Sequence, residues 1–189
     1  MSNVDNARGL IPLRHGAGGV IRPEHFTIAS GYAANIGRGD VVELTGTGKN
    51  IQVAAGGNVD NLGVFWGCSY TDPVTGSWRF SKYWPTGTVA ADAEAMVFAD
   101  PQIVFRAQAD TIALADVGLL ADWDDGAMST TTGLSGREIA VSAGATTGQA
   151  LRILGLVDEP GNAVGAHADI EVMFAEHIRL NVVSGVGGV

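Results

Sequence analysis

Cys68 is the only thiol in the chain and lies two residues after Trp66 in the apolar stretch NLGVFWGCSY (61–70). A reactive thiolate needs an exposed, electropositive setting. Strand parity instead groups Cys68 with Leu62, Val64, Trp66 and Tyr70 on one face, with Gly63, Phe65, Gly67 and Ser69 on the other. The spacing predicts a buried, inert thiol. A single cysteine forms neither an internal disulfide nor a Cys-based zinc site. The four histidines, His15, His25, His167 and His177, have no i, i+2 or i, i+4 partner. They are expected on the surface or in the N-terminal region, an approach of His167 to His177 across a hairpin being the alternative.

Other chemistry-bearing patterns fail on spacing. GTGK (46–49) lacks the phosphate-loop glycine at Glu43 and the Ser/Thr at Asn50. GAGG (16–19) has Ile21 where a dinucleotide fingerprint needs its third glycine. DWDDG (122–126) places three carboxylates in five residues, but its glycine comes one position early for an EF-hand and Gly133 replaces the closing glutamate, so a solvated acidic turn is expected. In RGD (38–40) Gly39 and Asp40 serve as turn residues before a strand. No nucleophile-elbow, S-x-x-K or H-E-x-x-H pattern occurs. The expectation is a protein that is not an enzyme, with no catalytic residue, metal or cofactor. A hydrolase built on Cys68 or the 122–125 carboxylates is the outlying alternative.

The elements around these residues read as β-structure. Val42 and Leu44 alternate with Glu43 and Thr45, and Ile51 and Val53 flank Gln52, giving a hairpin across GTGKN. NLGVFWGCSY supplies a further strand, and TDPVTG (71–76) turns the chain into Trp78, Phe80, Lys82 and Trp84, which alternate with Arg79, Ser81 and Tyr83. More strands are expected at 95–99, 102–108, 137–141, 150–157 and 169–175, with at most one short helix within 111–123, a stretch interrupted by Gly118. STTTGLSG (129–136) reads as a surface loop. LGVFWGCSYTDPVTG followed by AMVFAD is echoed by LGLVDEPGNAVG followed by EVMFAE; two related β-units or shared β-vocabulary both explain this.

Residues 1–28 show neither period and are expected to form an extended N-terminal arm ordered by lying on a partner, ahead of a 29–180 domain and a flexible 181–189 tail. The fold class is therefore all-β, a small antiparallel β-barrel or β-sandwich. Leu62, Val64, Trp66, Cys68, Trp78 and Trp84 are its candidate core or oligomer residues.

Composition bounds the partners. Hydrophobic residues are 46% and charged residues 16% of the 189, and the 27 glycines are scattered between apolar runs, which suits a folded, turn-rich chain. A net charge of −9 with no Lys/Arg cluster argues against nucleic acid and anionic membranes. The N-terminus lacks an apolar h-region and no run approaches a membrane span, so cytoplasmic synthesis is expected.

GRGDVVELTGTGKNIQVAAGG, NLGVFWGCSYTDPVTGSWRFSKYWPTGT, FADPQIVFRAQAD and RILGLVDEPGNAVGAHADIEVMFAEH, taken in order, give a chain that resembles the capsid decoration (cement, or head-stabilising) proteins of tailed bacteriophages over residues 10–178. The resemblance implies a non-enzymatic virion protein, made in the bacterial host cytoplasm, that sits on the outer capsid surface as a small homo-oligomer, commonly a trimer. Its partner would be the major capsid protein, neighbouring copies of which it clamps through an extended terminus. In this chain Arg8, Leu10, Ile11, Arg14, Val20, Arg22 and Phe26 would be the arm's contacts. The alternative is a β-sandwich recognition module that binds a glycan or host surface component through Trp78, Tyr83 and Trp84, although strand parity splits these three between faces.

Overall fold

The short apolar runs and their Gly, Pro and Asp boundaries become β-strands in the computed structural model, which describes residues 3–56, 60–124, 126–141 and 149–180. In chain order the strands are β1 (Ile11–His15), β2 (Glu24–Ile28), β3 (Val41–Leu44), β4 (Asn50–Val53), β5 (Asn61–Thr71), β6 (Trp78–Ser81) and β7 (Glu94–Phe98). They continue as β8 (Ile103–Gln108), β9 (Thr111–Ile112), β10 (Leu120–Trp123), β11 (Ile139–Ala140), β12 (Leu151–Leu156), β13 (Gly165–Ala166) and β14 (Asp169–Phe174). Leu114–Asp116 forms one 3-10 turn, so the 111–123 stretch is two strands around a turn. No helix among the described residues is long and apolar enough to cross a membrane.

The all-β class is borne out. One six-stranded sheet has the order β1-β8-β14-β12-β10-β11 and a second the order β3-β4-β2-β7-β5-β6, with β9 and β13 as a separate ribbon. β3 also pairs with β5, which closes β3-β4-β2-β7-β5 into a ring and leaves β6 beyond it. In the other sheet a bridge from Ala109 to Ile139 brings β11 back beside the end of β8. The strand pairs are antiparallel except β2 with β4, because the chain makes a long return through residues 29–40 before β3 turns back into β4. The echoed sequence segments occupy matching places: β5 pairs with β7, and β12 with β14.

Two apolar cores result. Ile103, Phe105, Leu151, Ile153, Ile170 and Phe174 anchor one; Phe26, Ile51, Phe65, Cys68, Val97 and Trp84 anchor the other. β5 serves both, and here simple alternation fails. Its register slips opposite Val42/Glu43, where Leu62 is the extra residue, and again between Phe65 and Gly67, where Trp66 is extra. Each bulge exchanges the faces beyond it. Leu62, Phe65, Cys68 and Tyr70 consequently share one core, while Val64 and Trp66 face the other. The parity grouping of Leu62, Val64, Trp66, Cys68 and Tyr70 on one face is therefore corrected. Gly63 at φ +153° is fixed by its setting, since a Cβ there would run into the Phe98 carbonyl.

The free arm is also corrected. β1 pairs with β8, and β2 lies between β4 and β7. Leu10, Phe26 and Ile28 are buried, Arg8 and Ile11 are half-buried, and Arg14, Val20 and Arg22 are the exposed ones among the expected contact residues. Arg8 pairs with Asp169 at 3.6 Å and Arg14 with Glu171. Periodicity is hidden in β1 because its register shifts between Pro12 and Arg14; proline is accommodated because β1 is an edge strand. The tail expected over 181–189 lies outside the described residues.

Candidate interaction surface

The β5–β6 hairpin is built from its turn upward. Asp72 Oδ1 accepts the backbone N–H groups of Val74 (2.8 Å) and Thr75 (3.2 Å), and Arg79 Nη1 donates to Asp72 Oδ2 at 2.8 Å. Those hydrogen bonds hold the Asp72 carboxyl below its ordinary pKa. Asp92 ties the hairpin to the body by accepting from Thr71 N (3.2 Å) and Thr71 Oγ1 (2.6 Å).

Register then divides the side chains. Thr71 faces Trp78, Ser69 faces Phe80 and Tyr70 faces Arg79. Tyr70 turns inward, edge-on to the buried Trp84 with ring centroids 5.3 Å apart. Trp78 and Phe80 consequently point outward, 60% and 65% exposed, and pack edge to face at 4.4 Å. Val74 at the hairpin tip is 90% exposed. Among the described residues β6 pairs only with β5, so its other edge is open. A large apolar pair on an anchored edge strand is suited to contact with another macromolecule.

A second feature is the docking of residues 3–8 across the ends of β8 and β14. Asn3 Nδ2 donates to the carbonyls of Ala163 (2.8 Å) and Ala166 (2.9 Å), and its Oδ1 accepts from Ala163 N. Buried Gln108 receives Asn6 N at 2.8 Å and donates to the carbonyls of Val4 and His167. Beside it Arg106 pairs with Asp169 (2.5 Å) and Glu159 (2.6 Å). Asp5, Glu138 and His167 form the one trio of metal-ligating type found among the described residues, with ligand atoms within 4.8 Å of one another.

The sequence candidates distribute unevenly over these features. Leu62, Val64, Cys68 and Trp84 are buried and Trp66 half-buried, whereas Trp78 is on the surface and leaves the list of core residues. Trp84 has no exposed surface and Tyr83 is half-buried, so Trp78, Tyr83 and Trp84 make no common platform. Burial pushes the Cys68 thiol up to about 12, and its Sγ donates to the Tyr83 carbonyl. RGD is packed inside: Arg38 lies 4.5 Å over the Trp66 ring and donates to the Trp66 carbonyl, and buried Asp40 accepts Gly37 N at 2.6 Å. Asp124 caps its own turn by accepting the N–H groups of Gly126 and Glu138, while Asp125 lies outside the described residues. His177, expected on the surface or in the N-terminal region, is fully buried. Phe80 was legible as Trp78's same-face neighbour. Asp5, Glu138 and His167 carry no spacing signal, because three distant segments bring them together.

No protein-family model, curated protein or solved structure matches this chain.

Proposed function

We propose that this chain is a non-enzymatic structural protein that decorates the outer surface of a tailed-bacteriophage capsid and stabilises it by bridging neighbouring major capsid proteins. The observation that carries the reading is the outward Trp78–Phe80 pair on the open β6 edge. An edge strand offers main-chain hydrogen bonds to a partner strand, and aromatic anchors supply most of the energy of a protein contact. Weak contacts repeated over many symmetric copies stabilise a shell by linkage. The contact is assigned to this hairpin rather than to residues 1–28, whose strands are committed to the sheets. The glycan reading loses support because Trp84 is enclosed and the Trp78 and Phe80 rings stand at 71° to each other, which offers no flat stacking surface.

The test is sedimentation of the purified protein with preformed, undecorated phage heads, alongside light scattering for the small homo-oligomer, commonly a trimer, that the resemblance implies. Saturable binding that is lost in Trp78→Ala/Phe80→Ser, with the variant still folded, is the expected result. Absence of binding to heads, or equal binding by the double variant, overturns the assignment.

A further inference from the structure

The sequence offers no metal motif, yet three side chains from distant segments converge beside the docked N-terminal residues. His167 Nδ1 lies 3.8 Å from Glu138 Oε2 and 3.9 Å from Asp5 Oδ1. Those separations are too long for hydrogen bonds. They lie within about 0.5 Å of the roughly 3.4 Å that separates two N/O ligands on one tetrahedral ion with bonds near 2.1 Å.

The state of the atoms gives an independent reason. Glu138 Oε2 and His167 Nδ1 are both shut off from solvent and neither makes a hydrogen bond. Buried polar atoms are nearly always satisfied, and each one left unsatisfied opposes folding. Here the two orphans face each other across a gap, with the Asp5 carboxylate at its solvent side. Excess negative charge adds to the case: the carboxylates of Asp5, Asp110 and Asp124 all act on Glu138 at this gap. A cation in the gap would relieve both conditions.

Local structure aims the ligands inward. Glu138 directly precedes β11, with its N–H held by Asp124 Oδ1 at 2.9 Å. His167 is the one described non-glycine residue with positive φ, at 55°, and its N–H is held by the Asp110 carbonyl at 3.2 Å. Asp5 is brought in by the segment that Asn3 and Gln108 fasten down.

We propose that Asp5, Glu138 and His167 bind a divalent transition-metal cation, completed by water, which tethers the N-terminal segment to the body of the domain. One imidazole and two carboxylates favour Zn²⁺, Co²⁺ or Mn²⁺ over the all-oxygen preference of Ca²⁺ and Mg²⁺. Three protein ligands leave the remaining positions to solvent. The site is independent of the capsid proposal.

The test is calorimetric titration of the full, chelator-treated chain with ZnCl₂ in excess Mg²⁺, paired with Co²⁺ absorption spectra. One ion per chain and Co²⁺ d–d bands removed by Zn²⁺ are expected. Loss of a ligand should weaken binding by at least about tenfold, since even outer-shell changes cost 10- to 100-fold. Asp5→Asn, His167→Ala and Glu138→Gln should each show this, while His15→Ala should not. Asp5→Asn lies on an exposed segment and keeps the test usable if His167→Ala fails to fold. No binding, displacement by Mg²⁺, or undiminished binding in Asp5→Asn overturns the proposal.

Discussion

His177 Nε2 lies 2.7 Å from the Leu62 carbonyl oxygen, a contact that fastens the segment after β14 onto β5 of the other sheet. Its Nδ1 accepts the Arg179 N–H at 3.1 Å, so the hydrogen bonds select the neutral imidazole with the proton on Nε2. Arg179 then reaches both carboxylate oxygens of Glu24 at 2.7 Å and the Ala99 carbonyl at 3.0 Å. The lap thereby joins the two sheets through an uncharged histidine and a bidentate ion pair.

Acid should act through this histidine. Burial, with a smaller contribution from nearby Arg179, lowers the folded-state pKa of His177 to about 4, against 6.5 as its ordinary value; the Leu62 hydrogen bond and the Asp100 and Glu24 carboxylates act the other way. The unfolded chain therefore takes up this proton more readily, and stability falls as pH drops from 6.5 towards 4. The full effect is about 3 kcal/mol at about 1.4 kcal/mol per pKa unit. Urea midpoints at pH 7.0, 5.5 and 4.5 should decline for the native chain and flatten for His177→Asn. The carboxylates Glu24 and Asp100, held below their ordinary values of 4.5 and 3.8, keep their contribution above those values and lose it only as pH falls below them, under most of the His177 window.

The two tryptophans at the ends of the 78–84 alternation should behave in opposite ways. Trp84 has no exposed surface and packs on Tyr70, so Trp84→Ala should cost about 3–5 kcal/mol in urea unfolding. Trp78 loses only its edge contact with Phe80, so Trp78→Ala should cost about 1 kcal/mol or less and leave the unfolding m-value unchanged. A large loss for Trp78→Ala would mean that its ring is enclosed in solution.

Alternation made most strands legible, because a side chain on an extended backbone has only two faces to choose between. Where each face went was hidden wherever a residue was inserted. Leu62 and Trp66 each add one to β5, so Phe65 joins Cys68 although parity separates them. Residues 1–28 lacked a period for the same reason, with a register slip at Pro12/Arg14 and a loop before β2. Trp78 and Trp84 share parity, yet the chain leaves β6 at Ser81 and carries Trp84 under the sheet to bridge Ile36. The Asp5–Glu138–His167 group depends on tertiary contacts that no local pattern encodes.

Cys68 should be silent in the folded protein. Its thiol is fully buried and, with its ionisation pushed to about 12, holds almost no thiolate near neutrality. A chromogenic disulfide reagent at pH 8 should label no thiol under native conditions and one in 6 M (approximately) guanidinium chloride. Rapid native labelling would show that β5 opens easily around the Trp66 bulge.

Removing residues 1–28 should unfold the chain rather than merely detach an arm. β2 supplies Phe26 and Ile28 to one core and sits between β4 and β7, so its loss opens the five-stranded ring and strands two sets of backbone hydrogen-bonding groups. β1 covers the β8 edge, and Leu10 just before it is buried in the other core. Circular dichroism should show no cooperative thermal transition for the 29–189 fragment. A chain starting at residue 9 loses the Asn3, Asn6 and Arg8 contacts but keeps both strands, and should still unfold cooperatively at a lower midpoint. A cooperative transition in the 29–189 fragment would show that β2 is dispensable and would restore the arm as a candidate for capsid binding.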